Sequence, residues 1–379
     1  SWGEHVRTRS RLISYPENLQ LAVSGDTLDE RLRLFFVAMT RARLYLSISY
    51  STSDDNGKST SKASFLVNEH WKETVPNVAE TLDHKIIAAE ARWYQPIIHP
   101  IEQDMKQLLA PQLETYKLSA THLNNFLDVS RGGPQTFLIN NLLRFPQAMS
   151  PSASYGSAIH ATLQRAHSHL AATGNYRPPE DILHDFEGNL EAQHLATGDH
   201  QLYLRKGIDT LSTFLESKYQ EFTQSQKAEL NFAGQSVYIG NAHLTGSLDL
   251  IDIKDGKIVV TDYKTGKAAR TWNGKTDYEK IKLHKYRQQL MFYNLLIRHS
   301  RDYSKFVFEK GVLQFVEPTP SNEIIALEAV FSNDDLERFT RLVQAVWHHI
   351  TTLDFPDTQQ FPLTYKGMVE FENYLLDEI

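Results

Sequence analysis

The chain has 379 residues, more than one ordinary core holds and suited to two or three domains. With 41% hydrophobic and 22% charged residues it has a globular composition. No apolar run reaches the ~18–20 residues of a membrane span and Ser1-Trp2-Gly3-Glu4-His5 opens no secretory signal, so a cytoplasmic location is expected. The absence of cysteine excludes disulfides, thiolate zinc sites, iron–sulfur clusters and cysteine nucleophiles, leaving Asp, Glu, His and backbone oxygen for magnesium, manganese or calcium, while a net charge of -7 argues only weakly against a nucleic-acid partner.

Thr27-Leu28-Asp29-Glu30 is a capping box followed by Leu32, Phe35, Phe36 and Met39 at helical spacing, so a helix starts there. Leu44-Tyr45-Leu46-Ser47-Ile48-Ser49 reads as a strand, and Ser51 to Lys62 as an exposed loop. Within that loop Gly57-Lys58-Ser59-Thr60 resembles the end of a phosphate-binding loop. Thr52 stands where its first glycine would, so no phosphate role is expected. From Lys72 to Tyr116 the helical character is interrupted by Pro76, Pro96, Pro100 and Pro111, as in a linker with short helices. These signals divide the chain into residues 1–66, a linker over 67–115, and a larger domain over 116–379.

In that domain Ser119 caps a helix carrying Leu123, Phe126 and Leu127, and Arg131-Gly132-Gly133-Pro134 makes a turn. A second helix opens near Ser157 with Ile159, Leu163, Ala166 and Leu170 on one side, and residues 201–222 are helical. Strands follow between Ser236 and Lys264, then a basic stretch, an apolar helix over 283–298, a strand at Val312 to Val316 and a helix from Asp334 to Thr351. The sum is an α/β (α+β) fold, a mixed central β-sheet flanked by helices.

Asp255-Gly256 is a strong two-residue hairpin signal, a type I′ turn. With those two residues as the loop, Lys254 faces Lys257, Ile253 faces Ile258 and Asp249 faces Asp262, and Lys264 shares their face of the sheet. Directly opposed residues have Cβ atoms roughly 4.5–5.5 Å apart. Ile251, Ile253, Ile258 and Val260 line the same face and Leu248, Leu250, Val259 and Tyr263 the other, so both sides are expected to be covered. Two carboxylates at about 5 Å repel by on the order of 3 kcal/mol at an effective dielectric near 20. A shared proton, Lys264 or a divalent cation would offset that. Two carboxylates and a lysine suit phosphodiester hydrolysis, which needs an in-line water and charge neutralisation at phosphorus.

The basic residues Lys264, Lys267, Arg270, Lys275, Lys280, Lys282, Lys285 and Arg287 follow directly, opposed only by Asp277 and Glu279. Taken alone they are a solvated face. Beside the candidate site they suggest a phosphate-binding surface, with Lys267, Arg270, Lys282, Lys285 and Arg287 as its nucleic-acid contacts.

Gly246-Ser247-Leu248-Asp249 followed by Asp262-Tyr263-Lys264-Thr265-Gly266 resembles the core of the RecB-like branch of the PD-(D/E)XK nucleases, with their restriction-endonuclease-like fold. An upstream G-x-x-x-H stands as Gly156-Ser157-Ala158-Ile159-His160, and a downstream Y-x-x-Q-L-x-x-Y as Tyr286 to Tyr293. The lead-in Leu118-Ser119-Ala120-Thr121-His122-Leu123 is also similar. The resemblance implies His160, Asp249, Asp262 and the Tyr263 carbonyl as ligands of Mg2+ or Mn2+, Lys264 as the catalytic lysine, and Gln289 with Tyr293 supporting the site and contacting DNA. His167 and His169 are read as packed. Many relatives staple this domain with a cysteine-bound iron–sulfur cluster. Where they carry a Cys-Pro pair this chain has Val129-Ser130-Arg131-Gly132, so no cluster is expected.

Asp29 to Arg43 is similar to the last conserved helicase motif of UvrD/Rep (superfamily 1) motors, and Trp2 through Leu21 to the run before it. In that family the arginine matching Arg41 reaches the ATP γ-phosphate. No Walker A motif occurs, so ATP would serve only a complete motor and this fragment alone should not hydrolyse it. The expectation is a DNA exonuclease, the C-terminal part of a helicase–nuclease acting on single-stranded DNA in repair or recombination, with the N-terminal motor missing and a second helicase–nuclease subunit possible. The rival reading is an inactive DNA-binding or subunit-docking module.

Overall fold

The computed structural model describes residues 28–43, a few residues between 46 and 66, and 105–378 except 146 and 148. It falls into two units, Ser1–His99 and Pro100–Ile379. In the first, α1 (Leu28–Thr40) forms where the capping box places it. Its stripe is only partly used: Phe35 is buried and Phe36 exposed. Arg41 follows the helix and is exposed. Of the strand expected over 44–49, Leu44, Tyr45 and Ser47 lie outside the described residues, and Leu46, Ile48 and Ser49 are not strand. The run Trp2 to Leu21 and most of the loop around Gly57 also lie outside them.

The second unit opens with α2 (Met105–Glu114), which contains Pro111 rather than ending at it. A proline there removes one backbone hydrogen bond, and the buried Leu109 offsets the loss. The Ser119 side chain accepts the His122 N–H and starts α3 (Ala120–Leu127), with Leu123, Phe126 and Leu127 inside. A 3-10 turn at Val129–Arg131 and Gly132, at φ +92°, lead into the short α4 (Gly133–Phe137). Next, α5 (Pro151–Thr173) is capped by Ser150 and starts on Pro151, earlier than Ser157. The unexpected α6 (Pro179–Glu191) precedes α7 (Thr197–Lys218).

The strands are β1 (Lys227–Asn231), β2 (Val237–Ile239), β3 (Ala242–Leu244), β4 (Ser247–Lys254) and β5 (Lys257–Lys264). Then come α8 (Asp277–His299), β6 (Val307–Phe315), β7 (Ala326–Ala329), α9 (Asn333–Thr352) and α10 (Tyr365–Asp377). A capping box between Thr276 and Glu279 starts α8 well before Leu283. Of these, β1, β7 and α10 were not expected from the sequence.

The main sheet has five strands in the order β1-β4-β5-β6-β7, and β2 and β3 form a separate pair. Only β5 and β6 run parallel, joined across α8, as a parallel pair requires a long crossover. In the β4–β5 hairpin Lys254 pairs with Lys257, Ile253 with Ile258, Ile251 with Val260 and Leu250 with Thr261. Asp255 and Gly256 take φ of +48° and +77°, both left-handed as a type I′ turn demands.

Helices cover both sheet faces. Ile251, Ile258 and Val260 pack with α3, α8, α9 and α10 in one apolar cluster. Leu250 and Tyr263 pack with α5, α6 and α7 in another. Among the described residues no helix is long and apolar enough to cross a membrane.

Candidate active site

The β4–β5 ladder stops at Leu250 and Thr261, one step short of Asp249 and Asp262. The carboxylates therefore flank a parting in the sheet. Asp249 Oδ2 accepts the Tyr263 backbone N–H at 2.8 Å. A residue sends its N–H and C=O out of the same side of a strand. The Lys264 carbonyl accepts from Val316 N at 3.0 Å, on the β6 side. The Tyr263 carbonyl therefore faces the β4 side of β5.

Asp262, Lys264, Gln289 and Tyr293 close a circuit. Lys264 Nζ lies 2.7 Å from Asp262 Oδ2 and donates to Gln289 Oε1 at 2.8 Å. Gln289 Nε2 donates to the Tyr293 hydroxyl at 2.6 Å, which donates to Asp262 Oδ1 at 2.9 Å. Spacing of four residues along α8 puts Gln289 and Tyr293 one above the other, facing the end of β5. The Tyr286 ring lies beneath the ammonium, with Lys264 Nζ 4.5 Å from its centroid.

Asp262 is 1% exposed. Burial pushes its carboxyl above the ordinary value, Lys264 holds it back and Asp249 pushes it further up. Its Oδ2 has the lysine beside it but no hydrogen bond of good geometry. Burial likewise raises the Tyr293 phenol, which stays a donor.

His160 reaches the site from α5, its Nδ1 3.2 Å from Asp249 Oδ2. Burial would lower its pKa, but the hydrogen bond and charge of Asp249, with Asp262 behind it, raise it above the ordinary value. Gly156 lies against Thr265 here, and a Cβ there would sit 3.1 Å from Thr265 Oγ1, a tight contact. His167, lower on α5, is buried, stacked on Phe222 and bonded to the Tyr263 hydroxyl at 2.8 Å, and His169 is half-buried.

Of the ligands inferred from the sequence, His160 and Asp249 stand 3.2 Å apart, and Asp262 lies close enough to both for their charges to act on it. Oxygen and imidazole donors suit magnesium or manganese, and the underused Asp262 Oδ2 fits a site built for a cation. One further group was not expected. His160, Glu229 and Asp249 offer ligand atoms within 4.8 Å of one another. Glu229 lies on β1, a strand without clear alternation, and only the β1–β4 register could have exposed it.

The basic residues are less uniform than their sequence suggests. Lys267 lies 3.8 Å from Glu279 and is largely exposed, and Arg270 pairs with Glu323. Arg287 lies 3.6 Å from Asp335. Lys282 sits over Tyr286, 5.6 Å from the centroid, with its pKa lowered by burial. Lys285 makes a close ion pair with buried Asp128, which also accepts from Ser130 Oγ at 2.5 Å. Asn124 Nδ2 donates to the Lys285 carbonyl at 3.2 Å. Together these contacts clasp the end of α3 to α8.

A family model of the PD-(D/E)XK nuclease superfamily matches residues 117–362. The crystal structure of SSO0001 is similar over 68% of this chain and 90% of its own, at 14% sequence identity and a TM-score of 0.26. None of the curated proteins compared with the chain matches it.

Proposed function

Because the chain belongs to the PD-(D/E)XK nuclease superfamily, we propose that it is a divalent-metal-dependent deoxyribonuclease. The observation that carries this is the circuit around Asp262, which sets a lysine ammonium 2.7 Å from a buried carboxylate at the parted end of two strands. A divalent ion held by His160, Asp249, Asp262 and the Tyr263 carbonyl would supply charge neutralisation at phosphorus and make water acidic enough to attack. Lys264 has three N–H donors, of which Gln289 Oε1 takes one, and its ammonium pairs with Asp262 by charge at 2.7 Å. A remaining donor is available to steady a phosphate oxygen or orient water. Gln289 and Tyr293 fix the lysine and the carboxylate against each other, and Tyr286 excludes water beneath the ammonium.

The motifs at Gly156–His160 and Tyr286–Tyr293 favour the RecB-like branch, acting as an exonuclease on single-stranded DNA. Similarity of residues 29–43 to the last UvrD/Rep helicase motif supports a helicase–nuclease context in repair or recombination, with Arg41 an ATP contact once a whole motor is present. Exposed ion pairs contribute little, so Lys267, Arg270 and Arg287 can exchange their acids for DNA phosphates. Lys282 joins them. Lys285 is held by the buried Asp128 and contributes to that surface mainly by anchoring it.

Labelled single-stranded DNA incubated with manganese tests this. Cleavage that Asp262→Ala lowers by at least about 100-fold is expected. DNA binding without cleavage would instead identify an inactive binding module.

A further inference from the structure

Lys206 takes no part in the site described above, yet the fold carries it to the edge of that site. It stands on α7, and its ammonium lies over the Tyr155 ring, 4.9 Å from the centroid. Tyr155 immediately precedes Gly156 on α5 and stacks on Tyr203 of α7, with centroids 5.1 Å apart. Lys206 Nζ donates to Glu317 Oε1 at 2.7 Å. Glu317 follows Val316, whose N–H donates to the Lys264 carbonyl at 3.0 Å. The carboxylate therefore lies just past the end of β6, beside the strand that ends in Lys264.

The charges along this edge do not balance. Two carboxylates act on Lys282, and each is engaged by another lysine: Glu317 by Lys206, and Glu279 by Lys267 at 3.8 Å. Lys264 and Lys282 share the Tyr286 ring, at 4.5 and 5.6 Å from its centroid, and repel each other. Asp262 answers Lys264 and Glu317 answers Lys206, which leaves Lys282 in excess. Such a row lacks an anion, and a DNA strand carries one at every phosphate. The Lys206–Glu317 pair can exchange. Its lysine side chain is 41% exposed, so salt reaches the pair and it contributes little to stability.

We propose that Lys206 is a phosphate contact for the single strand, continuing the row of Lys264 and Lys282 onto α7, and that Glu317 holds its ammonium until a DNA phosphate displaces the carboxylate. The identity of the ligand rests on the nuclease reading. Glu317 is then a built-in competitor, which keeps the lysine in place in the free protein and weakens its grip on DNA.

Fluorescence anisotropy with a labelled single-stranded oligonucleotide tests this on the full chain, over a series of salt concentrations and with calcium in place of manganese. Lys206→Ala is expected to weaken binding about three- to tenfold, equally for oligo(dT) and a mixed sequence. It should also lower the slope of log affinity against log salt by about 0.7, the share of one phosphate contact on a single strand. Glu317→Gln is expected to tighten binding at least about threefold, by releasing Lys206 and removing a like charge from the path of the strand. A gain made through Lys206 is mostly lost in the double variant, whereas a general gain in positive charge persists there. An unchanged salt slope for Lys206→Ala overturns the proposal. So does a Glu317→Gln variant that binds no tighter, or one whose gain survives whole in the double variant. If the parent chain binds the strand but does not cut it with manganese, the nuclease reading fails and the slopes still decide Lys206. If it binds no single strand, the proposal falls, and cleavage of duplex DNA would still leave the nuclease reading standing.

Discussion

Replacing Tyr293 by Phe removes a single oxygen from the circuit that holds Asp262. That hydroxyl donates to Asp262 Oδ1 at 2.9 Å and accepts from Gln289 Nε2 at 2.6 Å. A hydrogen bond to a charged group contributes about 1.5–3 kcal/mol and a neutral one about 1 kcal/mol. Gln289 is half-buried and can turn to water, whereas Asp262, at 1% exposure, cannot. The expected loss is therefore about 2 kcal/mol, set by the carboxylate. In a domain of this size that lowers the melting temperature by about 4–8 °C. If the same loss reaches the transition state, cleavage slows roughly 30-fold. Differential scanning fluorimetry and a single-turnover cleavage assay with magnesium read the two effects. Combining Tyr293→Phe with Gln289→Ala should cost less than the sum of the two, because both break one circuit. Full activity and an unshifted melting curve for Tyr293→Phe would refute the view that the circuit positions Asp262 and Lys264.

Two further outcomes concern stability. Gly207 on α7 meets the Phe186 ring so closely that a Cβ would lie 2.0 Å from its Cζ. Gly207→Ala should destabilise by about 2 kcal/mol despite alanine's better helix propensity, and Phe186→Leu should relieve most of that loss in urea titrations. His167 is kept neutral by burial, with its pKa pushed from 6.5 down to about 3. As pH falls below 6.5 the unfolded chain takes up a proton that the folded chain refuses. Its contribution is whole above that pH and drains by on the order of 1 kcal/mol per pH unit below it. Urea midpoints at pH 7.5 and pH 5 should show that slope, and His167→Phe should flatten it.

The hairpin was legible because its signals are local and agree. Asp255-Gly256 fixes the turn and the turn fixes the register, so the pairing from Lys254–Lys257 to Leu250–Thr261 followed before any coordinates, while the parting beyond it, at Asp249 and Asp262, did not. Gln289 and Tyr293 came from a resemblance, since helical spacing alone allowed plain packing. Glu229 could not be read this way. Lys227-Ala228-Glu229-Leu230-Asn231 has neither β-branched residues nor clean alternation, and its meaning comes from a pairing with β4 that only tertiary contact creates. The helix at Pro179 was missed although Ile182, Phe186 and Leu190 recur every fourth residue, because its polar face dominates the local composition. The early start of α5 was readable in Ser150-Pro151, a cap followed by a first-turn proline.

The clasp of Asp128, Ser130, Asn124 and Lys285 joins α3 to α8 through charge and hydrogen bonds alone. A cross-link of that kind is indifferent to air, to peroxide and to thiol reagents. Preparations handled without reductant should keep their architecture, and a chelating buffer should silence the chemistry while leaving the scaffold upright.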